Sequence, residues 1–83
     1  MGIQKAPRSL AELDVGGRGR IVALEGTGAI AVRLLEMGLV PGVDVALVKR
    51  APMGDPLEIR VRDYHLSLRL EEARRVRLEG EQP

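Results

Sequence analysis

Turn-forming residues cut this chain into pieces too short for a large sheet or a long helix. Gly16-Gly17, Gly26-Thr27-Gly28 and Pro41-Gly42 each stop the element before them. Ala51-Pro52-Met53-Gly54-Asp55-Pro56 does the same, since two prolines and a glycine cannot sit in a central strand. The pieces between these stops carry clear periodicities. Leu57, Ile59 and Val61 alternate with Glu58, Arg60 and Arg62, and after a turn at Arg62-Asp63 the alternation resumes at Tyr64, Leu66 and Leu68. Gly19–Leu24 is β-branched at Ile21 and Val22, Val43, Val45 and Leu47 alternate with Asp44, Ala46 and Val48, and Val76 and Leu78 form a last short strand.

Residues 29–37 break this rule of two. Ile30, Leu34 and Met37, with Ala31 and Leu35, fall at helical spacing, while Arg33 and Glu36 take the polar side. Thr27 is placed to cap the start. Gly38 suits the position after the last turn, Leu39 can fold back on it, and Pro41 forbids continuation. Two single helical turns complete the pattern. One follows Ser9, where Ser9 and Glu12 fit a capping box, and the other spans 70–74 with Ser67 as a cap candidate. Leu10 and Leu13 are spaced to lie over one end of a barrel. Five short strands joined by tight turns curl more readily into a barrel than into a sheet with two buried faces, and closure reduces exposed edges. The expected fold is a mainly β, SH3-like five-stranded barrel with one inserted amphipathic α-helix and two short helical turns. From pattern alone a five-stranded OB-type barrel competes with it. Residues 1–8 are expected to be a flexible lead, 9–79 the domain and 80–83 a tail.

With 83 residues there is room for one core. A chain this small buries only about 60–65% of its unfolded surface, which disfavours an enzyme with a deep pocket. The formal charge is +1, with acids and bases interleaved, so Arg18, Arg20, Arg60 and Arg62 are expected to be countered by Glu25, Glu58, Asp55 and Asp63. A nucleic-acid binder would show a concentrated basic face. Tyr64 is the single aromatic residue, too few for a base-stacking platform or a proline-binding groove. No cysteine is present, which excludes disulfides and thiolate metal sites and fits a reducing, cytoplasmic setting. No apolar run approaches the length of a membrane helix, so direct membrane insertion is not expected.

Catalysis finds no constellation. His65 and Ser67 share a strand face, but no nucleophile elbow surrounds either. The glycine stretches lack the lysine and hydroxyl of a phosphate loop and read as turns. A metal would have one imidazole to use, His65, with carboxylates such as Glu58, Asp63 or Glu71. One imidazole per chain allows weak or dimer-bridged divalent binding at best; no obligatory cofactor is expected, and a homodimer stays open. What survives is a binding surface, with Leu35, Met37, Leu39, Met53 and Asp55 as the candidate contact residues, since methionines repack easily at contact sites.

Strung together, these residues resemble the FeoA family. The leading Leu-x-x-Leu-x-x-Gly is Leu10, Leu13 and Gly16. The run Arg-Leu-Leu-x-Met-Gly-Leu-x-Pro-Gly is Arg33 through Gly42, followed by Gly54-Asp55-Pro56 and by Leu66, Leu68, Arg69, Glu72 and Ala73. The match covers Leu10 to Leu78. It departs at the hairpin turn, where many relatives place glycine and this chain has Asp63, a residue tolerant of left-handed backbone. The resemblance implies an SH3-like, non-enzymatic accessory protein of bacterial ferrous iron uptake, docking on the cytoplasmic part of the FeoB transporter and supporting or regulating it. The fold also resembles the C-terminal domain of diphtheria-toxin-type iron-dependent repressors. The alternative is therefore a stand-alone iron- or divalent-metal-responsive module acting on a repressor or another partner. No helix-turn-helix is present for direct DNA binding.

Overall fold

The computed structural model describes residues 8–79. A 3-10 turn at Leu10–Glu12 leads into β1 (Arg18–Leu24), then α1 (Ala29–Glu36), β2 (Asp44–Arg50), β3 (Leu57–Val61), β4 (Tyr64–Leu68), α2 (Leu70–Ala73) and β5 (Val76–Leu78). The period-two segments became the strands and the helical-spacing segment became α1, with boundaries within a residue or two of those expected.

The strands form one antiparallel sheet in the order β4-β3-β2-β1-β5. The expected barrel is not closed by a ladder, because β4 and β5 lie at opposite ends of this order. The reason is visible at β5. One edge pairs with β1, and the other is taken by the N-terminal segment, with Ser9 bridging Arg77 and the Leu78 N–H donating to the Arg8 carbonyl at 2.9 Å. Of the flexible lead expected at 1–8, only Arg8 is among the described residues, and it is engaged there. Gly19 on β1 sits close to β5: a Cβ there would meet the end of the Leu78 side chain at 2.9 Å, and that side chain would have to shift to admit it.

One apolar cluster holds the elements together. It is entirely aliphatic: Leu34 of α1, Leu39 after it, Val45 and Leu47 of β2, Leu57, Ile59 and Val61 of β3, Leu68 of β4, and Val76 and Leu78 of β5 all lie within it. Leu10 and Leu13 close one side of it. A register shift between Leu47 and Lys49 exposes both Val48 and Lys49. Beyond this bulge Arg50 reaches across to the 3-10 turn, its guanidinium donating to the carbonyls of Ala11 at 2.6 Å and Leu13 at 3.0 Å. Those carbonyls lie at a helix end, where intrahelical partners run out.

The end of α1 is a Schellman motif, as the Gly38-Leu39 pair predicts. The Gly38 N–H donates to the Leu35 carbonyl at 2.9 Å and the Leu39 N–H to the Leu34 carbonyl at 3.1 Å, with Gly38 at φ +94°. Leu34 and Leu39 are both fully buried, supplying the apolar contact that accompanies this motif. The caps differ from expectation elsewhere. Gly28, not Thr27, holds the N-cap position of α1, and no side chain bonds there. Ser9 makes no side-chain cap, and Glu12 accepts from the Arg8 N–H at 2.7 Å instead. At α2 the N-cap is Arg69 rather than Ser67, and its N–H donates to Glu72 Oε1 at 2.9 Å. At the β3–β4 turn the left-handed residue is Arg62 (φ +56°), not Asp63.

Candidate functional site

The five residues expected to meet a partner lie around the end of α1 and the loop between β2 and β3, and the structure gives them different work. Leu39 is fully buried and belongs to the core. Met37, the C-cap of α1, is half-buried and packs on that core. Leu35 is nearly half exposed, on the side of α1 away from Leu34. Met53 is 92% exposed at the tip of its loop, the most exposed large apolar side chain among the described residues.

Asp55 ties the loop down. Its Oδ1 accepts from the Leu70 N–H at 3.0 Å, satisfying a donor of the first turn of α2, and lies 3.7 Å from the Arg69 guanidinium. The following Asp55–Pro56 peptide is cis. The loop root is further fixed where the Ala51 N–H donates to the Pro56 carbonyl at 3.0 Å and the Gly54 N–H to the Ala51 carbonyl at 2.7 Å. Asp55 thus ties the loop that presents Met53 to the start of α2.

Two further contacts hold α1. Arg33 pairs at 2.9 Å with Glu72, which is buried in α2 and also accepts from the Arg69 N–H. The Tyr64 hydroxyl donates to the Met37 carbonyl, so the single aromatic residue ties the β3–β4 hairpin to the helix end. With its inner side and its C-terminus fixed, α1 offers its outer face. There Val32 and Leu35, three residues apart, are both about half exposed. Val32 was not singled out in the sequence. The signal was present, since an apolar residue beside Arg33 on the polar arc has no place in the core.

His65 stands exposed on β4, directly across the ladder from Arg60. Glu58 pairs with Lys49 at 3.8 Å, and Glu71 pairs with Arg75 at 3.3 Å and Arg74 at 3.7 Å. Among the described residues no group of three or more metal-binding side chains converges. At the opposite end of β1 and β2, Arg20 donates to Asp44 at 3.0 Å, and this bond, with the charges of Asp44 and Glu79, holds the guanidinium above its ordinary pKa. No helix among the described residues is long and apolar enough to cross a membrane.

Comparison with known proteins places these features. The FeoA domain model matches residues 8–80. A fusion of Fe(2+) transport protein A with the Fe(2+) transporter FeoB from Porphyromonas gingivalis is 43% identical over 70 residues; the match covers 84% of this chain and 8% of the fusion protein. The chain therefore spans under a tenth of that relative's length. Among solved structures, a zinc complex of FeoA from Stenotrophomonas maltophilia, described as a procaryotic SH3 domain protein and a suggested ferrous iron transport activating factor, is 32% identical. It aligns with a TM-score of 0.78 over 88% of this chain and 91% of its own. A manganese-dependent transcriptional repressor aligns with a TM-score of 0.79 over 95% of this chain and 45% of its own, at 11% identity, which shows a shared fold alone.

Proposed function

Since the chain belongs to the FeoA domain family, we propose that it is a non-enzymatic accessory protein of ferrous iron transport that docks on the cytoplasmic part of a FeoB-type transporter. The observation that carries this reading is the fusion relative, in which a domain 43% identical to this chain is covalently joined to the transporter. Fusion fixes a high effective concentration of one domain beside the other, which is useful where the two must meet. Affinity between the two surfaces would serve the same encounter. The outer face of α1, with Val32 and Leu35, and the loop-borne Met53 supply exposed aliphatic groups for it. Aromatic stacking on proline plays no part, because Tyr64 is occupied with the helix end. The fold that goes with this proposal is an SH3-like barrel completed by side-chain packing between its ends.

Capture of the detergent-solubilised transporter by the full chain, with and without guanine nucleotide and ferrous iron, tests the proposal. Specific capture is expected, weakened by Leu35→Asp and by Met53→Asp in proteins that stay folded. Absence of capture in every nucleotide and iron state would sink it. For the alternative, a metal-responsive module acting on a repressor, the repressor partner has only the shared fold behind it.

A further inference from the structure

The interleaved charges of the sequence suggest a neutralised surface, with the acids Glu25, Glu58, Asp55 and Asp63 set against Arg18, Arg20, Arg60 and Arg62. The structure pairs them otherwise. Glu25 binds Arg77 at 3.4 Å, Glu58 binds Lys49 at 3.8 Å, and Asp55 binds Arg69. Asp44 is taken by Arg20. Among the described residues, Arg18, Arg60 and Arg62 have no carboxylate within ion-pair distance; Arg60 donates only to the Arg62 carbonyl, at 3.3 Å.

These arginines stand in a defined order. Arg18 of β1 is opposite Ala46 of β2, Ala46 is opposite Arg60 of β3, and Arg60 is opposite His65 of β4. They form one row across four strands, on the face away from the core side chains Val45, Leu47, Ile59 and Val61. With two strand spacings between them, the Arg18 and Arg60 Cα atoms are about 10 Å apart, and the small Ala46 leaves the floor between them low. A shallow groove of about 320 Å³ lies here, lined by Arg18, Asp44, Val45, Ala46, Arg60 and Arg62. Val48, two residues beyond Ala46 on the same strand, adds an exposed aliphatic group.

We propose that this sheet face docks a carboxylate-rich, extended segment of a protein partner, with the Arg18–Ala46–Arg60 row as its centre. Guanidinium groups match carboxylates through paired, charge-assisted hydrogen bonds, and the low floor at Ala46 admits the backbone that carries them. Neighbouring rows along a strand are about 7 Å apart, the spacing at which alternate side chains of an extended segment fall. Asp44 and Glu79 line the adjoining depression with Arg18 and Arg20, so the charge is patterned rather than uniformly positive. A patterned surface suits a segment that can place its acids selectively, whereas an anionic lipid surface would press against those two carboxylates as well. The row shares no residue with the α1 face or the Met53 loop, so it stands or falls apart from the transporter reading.

The experiment is a fluorescence-anisotropy titration of the full chain with a short labelled peptide alternating glutamate and valine. A lysine–valine peptide and vesicles of phosphatidylserine with phosphatidylcholine form parallel arms. The acidic peptide alone is expected to bind, more weakly as salt rises. The double variant Arg18→Ala/Arg60→Ala is expected to lose about tenfold or more in affinity, at an unchanged melting temperature. Arg74→Ala, which removes a positive charge elsewhere, is expected to change affinity less than about twofold. Equal losses in both variants would mean non-specific attraction and would overturn the proposal. So would failure of the acidic peptide to bind, or vesicle binding in its place that depends on the row.

Discussion

The α1–α2 end of the molecule and the outer face of the sheet use the same residue type for opposite ends. Around the helices three arginines have a job in the fold: Arg33 neutralises buried Glu72, Arg69 flanks Asp55, and Arg50 caps the carbonyls of the 3-10 turn. On the sheet face Arg18, Arg60 and Arg62 have no such partner among the described residues. An arginine's role here is decided by what the fold brings beside it, and acids close in sequence are a poor guide to that. The contrast also separates stability from recognition. Changes at the helical end should cost folding free energy, and changes on the sheet face should leave it alone.

The largest effect is expected at Leu34. It is fully buried beneath α1, and Leu34→Asp would remove its packing and leave a carboxylate without a partner, a loss of about 4 kcal/mol or more. Collapse of the dispersed amide spectrum is the expected readout; a folded Leu34→Asp protein would mean that α1 packs through its other face. Glu72→Ala comes next, at about 2 kcal/mol by denaturant unfolding, since it removes a buried acceptor shared by Arg33 and the Arg69 N–H. Arg33 itself is largely exposed and can return to water, which keeps the figure below that of a fully buried pair. A loss under about 0.5 kcal/mol would show that the helical end is not held as described.

These tied positions mark where sequence reading succeeded and where it stopped. The strands β3, β4 and β5 and the Schellman end of α1 depend on neighbours a few residues away, and the alternation at Leu57–Val61 and the glycine at 38 carry that information locally. Contacts that join distant segments were not legible. Asp55 looked like a surface acid until the fold placed the Leu70 N–H 3.0 Å from it. The caps failed for a related reason: Thr27 and Ser67 have suitable side chains, but the chain enters each helix one or two residues later than they require, at Gly28 and Arg69. The open ends of the sheet were hidden too, because nothing local says that Arg8 and Ser9 will occupy the outer edge of β5. Of the candidate contact residues, Leu39 was the one whose helical context already pointed inward.

Smaller effects sharpen the boundary between the two regions. Tyr64→Phe deletes only the hydroxyl that donates to the Met37 carbonyl, and the exposed carbonyl can recover water, so a loss of about 0.5–1 kcal/mol is expected in denaturant unfolding. No loss at all would place the tie between the hairpin and α1 elsewhere. Arg62→Gly should move the other way. Arg62 holds φ +56°, a conformation that disfavours residues with a Cβ, and relief of that strain outweighs the extra freedom glycine gains when unfolded. A net gain of about 0.5 kcal/mol in unfolding free energy is expected, and a destabilised variant would mean that the Arg62 side chain supports the fold.

Arg60→Ala is the smallest of these changes and the one on which the contrast most depends. Its guanidinium is bonded only to a carbonyl two residues away on an exposed surface, and its neighbours across the ladder are Ala46 and His65. Nothing buried is uncovered when it is removed, and no acid among the described residues is left unpaired. Removing it also reduces the repulsion felt by Arg18 and Arg62, an effect that salt should erase. The expected change in unfolding free energy is therefore within about 0.5 kcal/mol of zero, and it should lean toward stabilisation at low salt. A loss of about 2 kcal/mol would show that the row is built into the fold like Arg33 and Arg50, and the separation of recognition from stability would fail at its centre.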